Sequence, residues 1–347
     1  MENNNKTKNQ DISWQKIVMK YAKPDAGKSI LQITNSLLPY IFMWFLMYKS
    51  LSYPFWITLL LAVVASGFLI RLFIIFHDCG HGSFFRSREA STITGILTGI
   101  LSFTPYRSWH SQHAIHHATS GNLDKRGVGD VLTYTVDEYL NSTGWNKFTY
   151  KVFRNPFFLF TLGPVVMVIS NRFTRKGMNK KEKNNIYLTN ISIVLVASII
   201  SLFISLKAYL LIQLPVIYFA HLFGLWLFYI QHQFDDVQWE RGEVWDYKTA
   251  ALTGCSFLKL PRLLQWFTGN IGYHHVHHLS SRIPNYNLEA CHNENEMFRN
   301  IKPIRLSSTF RALWLSLWDE KQQKLISFRE LRKILEMKAL AVSRQAS

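Results

Sequence analysis

Four stretches of the chain, residues 30–48, 54–76, 186–206 and 209–230, are long and apolar enough to cross a bilayer. The hydrocarbon core asks for about 20 consecutive apolar residues in helical form. A backbone inside lipid must satisfy its own hydrogen bonds, so these segments are restricted to helices. Between the members of each pair lie only residues 49–53 and 207–208. The spacing therefore predicts two hairpins whose turns expose almost nothing on one side of the membrane, with everything polar on the other. That other side holds the amino-terminal tail, the middle segment with "NRFTRKGMNKKEK" at 171–183, and the last third of the chain, which carry nearly all the Lys and Arg. The positive-inside rule assigns it, with both termini, to the cytoplasm.

This plan divides the chain into a cytoplasmic tail (1–28), a first hairpin (29–76), a cytoplasmic segment (77–185), a second hairpin (186–230) and a cytoplasmic carboxy-terminal segment (231–347). "MENNNKTKNQ" starts a tail with no apolar core before a small-residue cleavage site, so no removable signal peptide is expected and the tail reads as disordered. Segments 92–105 and 157–170 are apolar but short and contain Gly or Pro, which reads as interfacial or re-entrant helices. The net charge of +17 calls for an acidic partner: nucleic acid, anionic headgroups or an acidic redox protein. No nucleic-acid-binding motif accompanies the charge, which argues against the first. Cys79, Cys255 and Cys291 are widely spaced, so they form neither a disulfide framework nor a thiolate metal site, and a reducing compartment suits them.

The second apolar stretch runs straight into two imidazoles. His77 and His81 in "FHDCGHGSFF" form HxxxH; His113, His116 and His117 in "WHSQHAIHH" form HxxHH; His274, His277 and His278 in "GYHHVHH" form HxxHH again. Residues at i, i+3 and i+4 share a helix face, so each set can aim its rings at one point, which is metal-ligand spacing. The topology puts all eight on one side of the membrane. Imidazole suits zinc, copper, iron and nickel alike, but a catalytic zinc usually takes three protein ligands. Eight imidazoles fit two metal ions with positions left open, and a pair of redox-active irons would serve O2 chemistry. A carboxylate-rich di-iron site needs two Glu-x-x-His motifs. The chain has only Glu289 with His292, read as a chance surface pair.

The segments "HDCGHGSFF", "AIHHATSGNLDKRG", "LFYIQHQFDD" and "LLQWFTGNIGYHHVHHLSSRIPNY" together resemble the integral-membrane fatty acid desaturases over nearly the whole chain. The likeness is greatest to the acyl-lipid desaturases of Bacillus that insert a Δ5 double bond into phospholipid acyl chains. The resemblance implies an all-α integral membrane protein with four transmembrane helices and a cytoplasmic helical cap around a histidine-rich di-iron site. It also implies two iron ions, O2 as co-substrate, and ferredoxin or flavodoxin as electron donor. A ninth histidine is implied between the last span and the third set, where His232 is the candidate. His221 lies eleven residues earlier, or about 16 Å up a helix, and reads as a neutral ring hydrogen-bonded within the bundle.

His110 and His275 adjoin the motifs off their spacing and read as supports behind the ligands or as surface residues. Asp78, Asp235 and Asp236 are candidates to orient ligand imidazoles, or are solvated acids. Asn270 either holds a metal-bound water or terminates a helix. Three rivals remain beside the desaturase: a hydroxylase or ketolase on the same scaffold, an intramembrane zinc protease suggested by the HDxxH of "HDCGH", and a metal transporter. The protease leaves six motif histidines unexplained. The transporter would place acids within its spans, and Asp and Glu are absent from all four. Head group, chain length and oligomeric state are not encoded in any motif.

Overall fold

A computed structural model describes residues 14–345, and the stretch "MENNNKTKNQ" lies outside the described residues. Helices of ten or more residues are α1 (Ala26–Ser50), α2 (Phe55–His81), α3 (Arg88–Leu101), α4 (Tyr106–Thr119), α5 (Gly144–Phe153), α6 (Pro156–Ser170), α7 (Lys180–Ile204), α8 (Leu206–His232), α9 (Asn285–Glu294) and α10 (Phe328–Gln345). Four of them, α1, α2, α7 and α8, are long and apolar enough to cross a membrane, which fits a membrane protein.

Each of these helices outruns its apolar stretch, and the extensions matter most at α2 and α8. Helix α2 continues to His81, so both imidazoles of HxxxH ride on its final turns. It stops where Gly82 adopts φ +65°, a left-handed position that glycine takes without strain, and donates back to Asp78 and Cys79 carbonyls. Helix α8 likewise continues to His232. Helix α7 starts earlier than its apolar run because Asn179 and Glu182 form a capping box that holds a lysine-rich first turn. The break between α7 and α8 falls at Ser205, with φ +69° and its hydroxyl accepting from the Ala208 amide at 3.3 Å, and not at 207–208 as expected.

Helix α2 is central, packed against α1, α3 and α8, and α8 lies against α6 and α7. Leu69, Leu72, Ile75 and Phe76 of α2 meet Ile212, Val216, Tyr229 and Ile230 of α8 in the largest apolar cluster. Helix α7 instead turns Ile191, Val194, Leu202 and Phe203 outward. An exposed apolar face of that length is a liability in water and ordinary in lipid. The expected short helix at 157–170 is α6, which meets α5 at 79° across a break at Arg154 and Asn155, where Pro156 starts the new helix.

Two parts of the sequence reading need correction. The fold is not purely helical: β1 (Tyr134–Thr135), β2 (Phe257–Lys259), β3 (Pro303–Arg305), β4 (Leu317–Asp319) and β5 (Lys324–Ile326) form two small sheets. One has the order β1-β4-β5, with β1 parallel and β5 antiparallel to β4; the other pairs β2 with β3 in parallel. Part of the supposed tail is also folded. Residues 14–19 are helical, Val18 is buried in a cluster with Ile271, Val276, Leu288 and Phe298, and the Tyr21 hydroxyl donates to Glu294 at 2.6 Å. An aromatic and aliphatic stripe of that kind is anchored by burial, which outweighs the polar composition around it.

Candidate metal centre

Three helix segments and the end of a fourth bring nine imidazoles together. His77 and His81 sit on the last turns of α2, His113, His116 and His117 on α4, His232 at the end of α8, and His274, His277 and His278 on the short helix His274–Leu279. They sort into two groups. His77, His81, His113, His117 and His277 form one; His116, His232, His274 and His278 form the other, and in each group one ring nitrogen per residue lies within 4.8 Å of the rest. The helical period explains the sorting. Every i, i+4 pair stays together, namely His77 with His81, His113 with His117, and His274 with His278, while the third residue of each HxxHH crosses to the other group. The groups adjoin, with the His117 and His278 rings stacked at 4.0 Å and 12°.

Within the five-histidine group, Nε2 of His113 is 3.1 Å from Nε2 of both His77 and His117, and Nε2 of His277 is 3.1 Å from that of His117. In the four-histidine group, Nε2 of His232 is 3.0 Å from that of His116 and 2.9 Å from that of His274. A neutral imidazole has one N–H, so converging rings cannot all satisfy one another. His81 Nε2 and His278 Nε2 are buried with no hydrogen-bond partner. A cation answers all of this at once. Two nitrogens 3.0–3.1 Å apart, each about 2.1 Å from one ion, subtend about 90°, whereas a tetrahedral ion needs them about 3.4 Å apart. Five and four converging donors also exceed the three protein ligands usual for a catalytic zinc.

Electrostatics point the same way. Burial, reinforced by neighbouring imidazoles, pushes His117, His274, His277 and His278 far below the usual imidazole value. The rings are held neutral, which is the form that ligates a metal.

The surroundings differ from expectation in several places. Asp78 lies where the sequence suggested, with Oδ1 3.3 Å from His77 Nδ1 and Oδ2 accepting from the Asn285 amide at 2.7 Å and its side chain at 2.8 Å. Asp235 is turned away and pairs with Arg311 at 3.4 Å, and Asp236 is exposed. The carboxylate on the second group is instead Asp130, 2.5 Å from His116 Nδ1 and buried. It gets there because Gly129 has φ +71° and a Cβ at that position would stand 3.0 Å from His116 Cβ and 3.2 Å from the Gln112 carbonyl oxygen. The only sequence signal was an acid in the glycine-rich "RGVGD" a short loop after the second motif. Asp130→Asn is expected to weaken metal retention by the four-histidine group about 10–100-fold, measured by chelator competition, while the fold persists.

Asn270 does not reach the histidines. It holds φ +58°, its Oδ1 accepts from Gln265 at 3.0 Å and its Nδ2 donates to the Asn285 carbonyl at 3.2 Å, so it closes the turn after the helix Arg262–Phe267. His110 is exposed, but His275 is buried and contacts His292 Nδ1 at 2.9 Å through Nε2. His292 is therefore no surface partner of Glu289, whose carboxylate accepts from the Tyr273 hydroxyl at 3.3 Å. His221 Nδ1 lies 2.9 Å from the Ile217 carbonyl of its own helix, one turn back. Trp109, which the motifs did not single out, stacks on His113 at 4.2 Å and 23°.

Residues 53–305 match the family model for fatty acid desaturase. The chain is 47% identical to a fatty acid desaturase of Bacillus subtilis (strain 168), over 92% of this chain and 91% of that protein. It is 27% identical to an endoplasmic-reticulum omega-3 fatty acid desaturase of Vigna radiata, over 62% of this chain and 59% of the relative. It is 26% identical to an sn-1 acyl-lipid omega-3 desaturase (ferredoxin) of Synechocystis, over 63% of this chain and 62% of the relative. By the extent of the family match and the identity along almost its full length, this chain belongs to the fatty acid desaturase family.

Proposed function

We propose that the chain is an O2-dependent acyl-lipid desaturase that introduces a cis double bond, at Δ5, into acyl chains of membrane phospholipids. In this reading His77, His81, His113, His117 and His277 hold one iron, and His116, His232, His274 and His278 hold the other. The observation that carries it is the sorting of nine imidazoles into two adjoining groups, too many donors for a single zinc. Bound there, a pair of irons would supply the one-electron and oxygen chemistry that side chains lack.

The chain's own contribution is to fix and enclose. Asp78 and Asp130 each stand at the Nδ1 of a ligand ring, which sets its tautomer and aims Nε2 inward. All four rings of the second group are buried, and Phe228 lies 5.4 Å from both His116 and His232, giving an apolar wall suited to a methylene chain. The membrane-facing helices bring that substrate to the site, and the excess of Lys and Arg favours a cytoplasmic setting for the termini and the histidines. The Δ5 position rests on the likeness of the motif segments to Bacillus acyl-lipid desaturases. Ferredoxin or flavodoxin as donor rests on that likeness and on the Synechocystis relative's description.

The test is gas chromatography and mass spectrometry of total lipid fatty acids from aerated cells expressing the chain, with double bonds located by derivatisation. A new cis double bond establishes desaturation, and its position accepts or overturns Δ5. A hydroxylated product moves the assignment to hydroxylase.

A further inference from the structure

The two histidine groups are not equally enclosed. Every ring of the four-histidine group is buried, whereas His81 and His113 of the five-histidine group are half-buried. An electron arriving by protein contact therefore meets the five-histidine group first. What surrounds that opening is basic. His110 is exposed beside Gly80, whose added Cβ would lie 3.7 Å from the His110 ring and 3.0 Å from that of Trp109. Arg107, also exposed, starts α4 with its amide on Asn185 Oδ1 at 2.9 Å. Arg175 crosses from the 171–183 segment to donate to Gln112 Oε1 at 3.3 Å, and Lys176 is exposed next to it.

No acid offsets this charge from the two segments that build the face. Helix α4 has none, and Glu182 of the 171–183 segment is buried, with its carboxylate accepting from the Asn179 amide at 2.8 Å. Lys180, Lys181 and Lys183, at the mouth of α7, sit where a helix entering lipid meets headgroups. Arg175 and Lys176 precede those lysines on the segment that crosses to Gln112, next to His113 on α4, while Arg107 and His110 lie on α4 itself, Arg107 meeting α7 at Asn185. Between that surface and the metal ligands lies the half-buried Trp109, stacked on His113.

We propose that Arg107, His110, Arg175 and Lys176 form the docking face for an acidic one-electron carrier protein, and that electrons enter the five-histidine group through Trp109 and His113. The inference rests on the desaturase reading. Each double bond formed removes two protons and two electrons, as two hydrogen atoms, from adjacent methylenes. O2 takes those, plus two electrons delivered singly by the carrier and two protons from solvent, and leaves as two waters.

The experiment compares iron-loaded parent with Arg175→Glu/Lys176→Glu in nanodiscs of neutral phosphatidylcholine, driven by reduced plant-type ferredoxin or by dithionite alone. The expected result is a fall of about tenfold or more in kcat/KM for ferredoxin, carried by KM, with a flatter dependence on salt. Iron content and the dithionite-driven rate should stay at parent values, and Lys333→Glu/Lys338→Glu on α10 should leave all readouts unchanged. The proposal is overturned by an unchanged ferredoxin kcat/KM, by an equal loss in the α10 control, or by an equal loss with dithionite. A deficit confined to discs of anionic lipid would assign the face to headgroups and overturn it too. A parent chain without iron or product would sink the desaturase reading instead, and calorimetric binding of ferredoxin to parent and variant would still decide the face.

Discussion

Replacing His113 by alanine is expected to abolish product formation, with a loss of at least about 1,000-fold, and to lower bound iron to one per chain or fewer while membrane insertion is retained. The size of the effect follows from position. His113 Nε2 is 3.1 Å from two other imidazole nitrogens, so its removal opens the middle of the five-histidine group, where an outer support alone is worth about 10–100-fold. It also removes the ring stacked on Trp109, which keeps Phe76 and His77 as neighbours. Lipid analysis and metal content by mass spectrometry check both halves of the expectation. Full activity and two irons in His113→Ala would remove His113 from the ligand set.

The largest stability effect is expected far from the imidazoles, at the bend between α5 and α6. Arg154 is 1% exposed and donates to the Leu315 carbonyl at 2.7 Å, Gln233 Oε1 at 2.9 Å, the Tyr229 hydroxyl at 3.2 Å and the Leu132 carbonyl at 3.3 Å. One side chain thus joins the strand-bearing loop, the end of α8 just past His232, and the segment before β4. Arg154→Ala would strip the donor from Gln233 Oε1 and the Leu132 carbonyl, leaving Leu315 to the Tyr229 hydroxyl, and open a cavity beside Tyr229. The expected cost is about 3–5 kcal/mol, a fall of roughly 4–7 °C in melting temperature at this chain length, read by thermal denaturation in detergent. Arg154→Lys should recover only part of it, since an ammonium cannot reach acceptors spread across a planar fork. A melting temperature within a degree or two of the parent for Arg154→Ala would refute the role.

How much of this was legible beforehand depended on whether a residue's role was periodic. The apolar runs announced α1, α2, α7 and α8, because a bilayer imposes a length and a helix a period. The i, i+4 histidine pairs announced themselves for the same reason. The sorting of His116 away from His117 was not readable, since neighbouring residues point about 100° apart and only the tertiary arrangement decides what each then faces. Asp130 was missed because a carboxylate acting across a loop has no spacing rule; its arrival depends on the backbone of Gly129. Asp235 adjoins His232 in sequence, yet α8 ends there and the chain turns it toward Arg311. Strands of two or three residues carry no alternation to detect. The ordered residues from 14 onward were hidden by a polar context, with Trp14, Val18 and Tyr21 too few to register as an amphipathic helix.

The crossed sorting of adjacent histidines also bears on how the site fills. His116 and His117 serve different groups, and so do His277 and His278. An ion held by either group would fix the rotation of both helical segments, and that rotation would aim the rings of the other group as well. The ordering needed by a second ion would then be largely done by the first. Iron titration of stripped chain should therefore rise sigmoidally, with singly loaded chains scarce at every point. The same crossing ties the spacing of the two nitrogen groups to backbone geometry, because adjacent residues of one helical segment serve both.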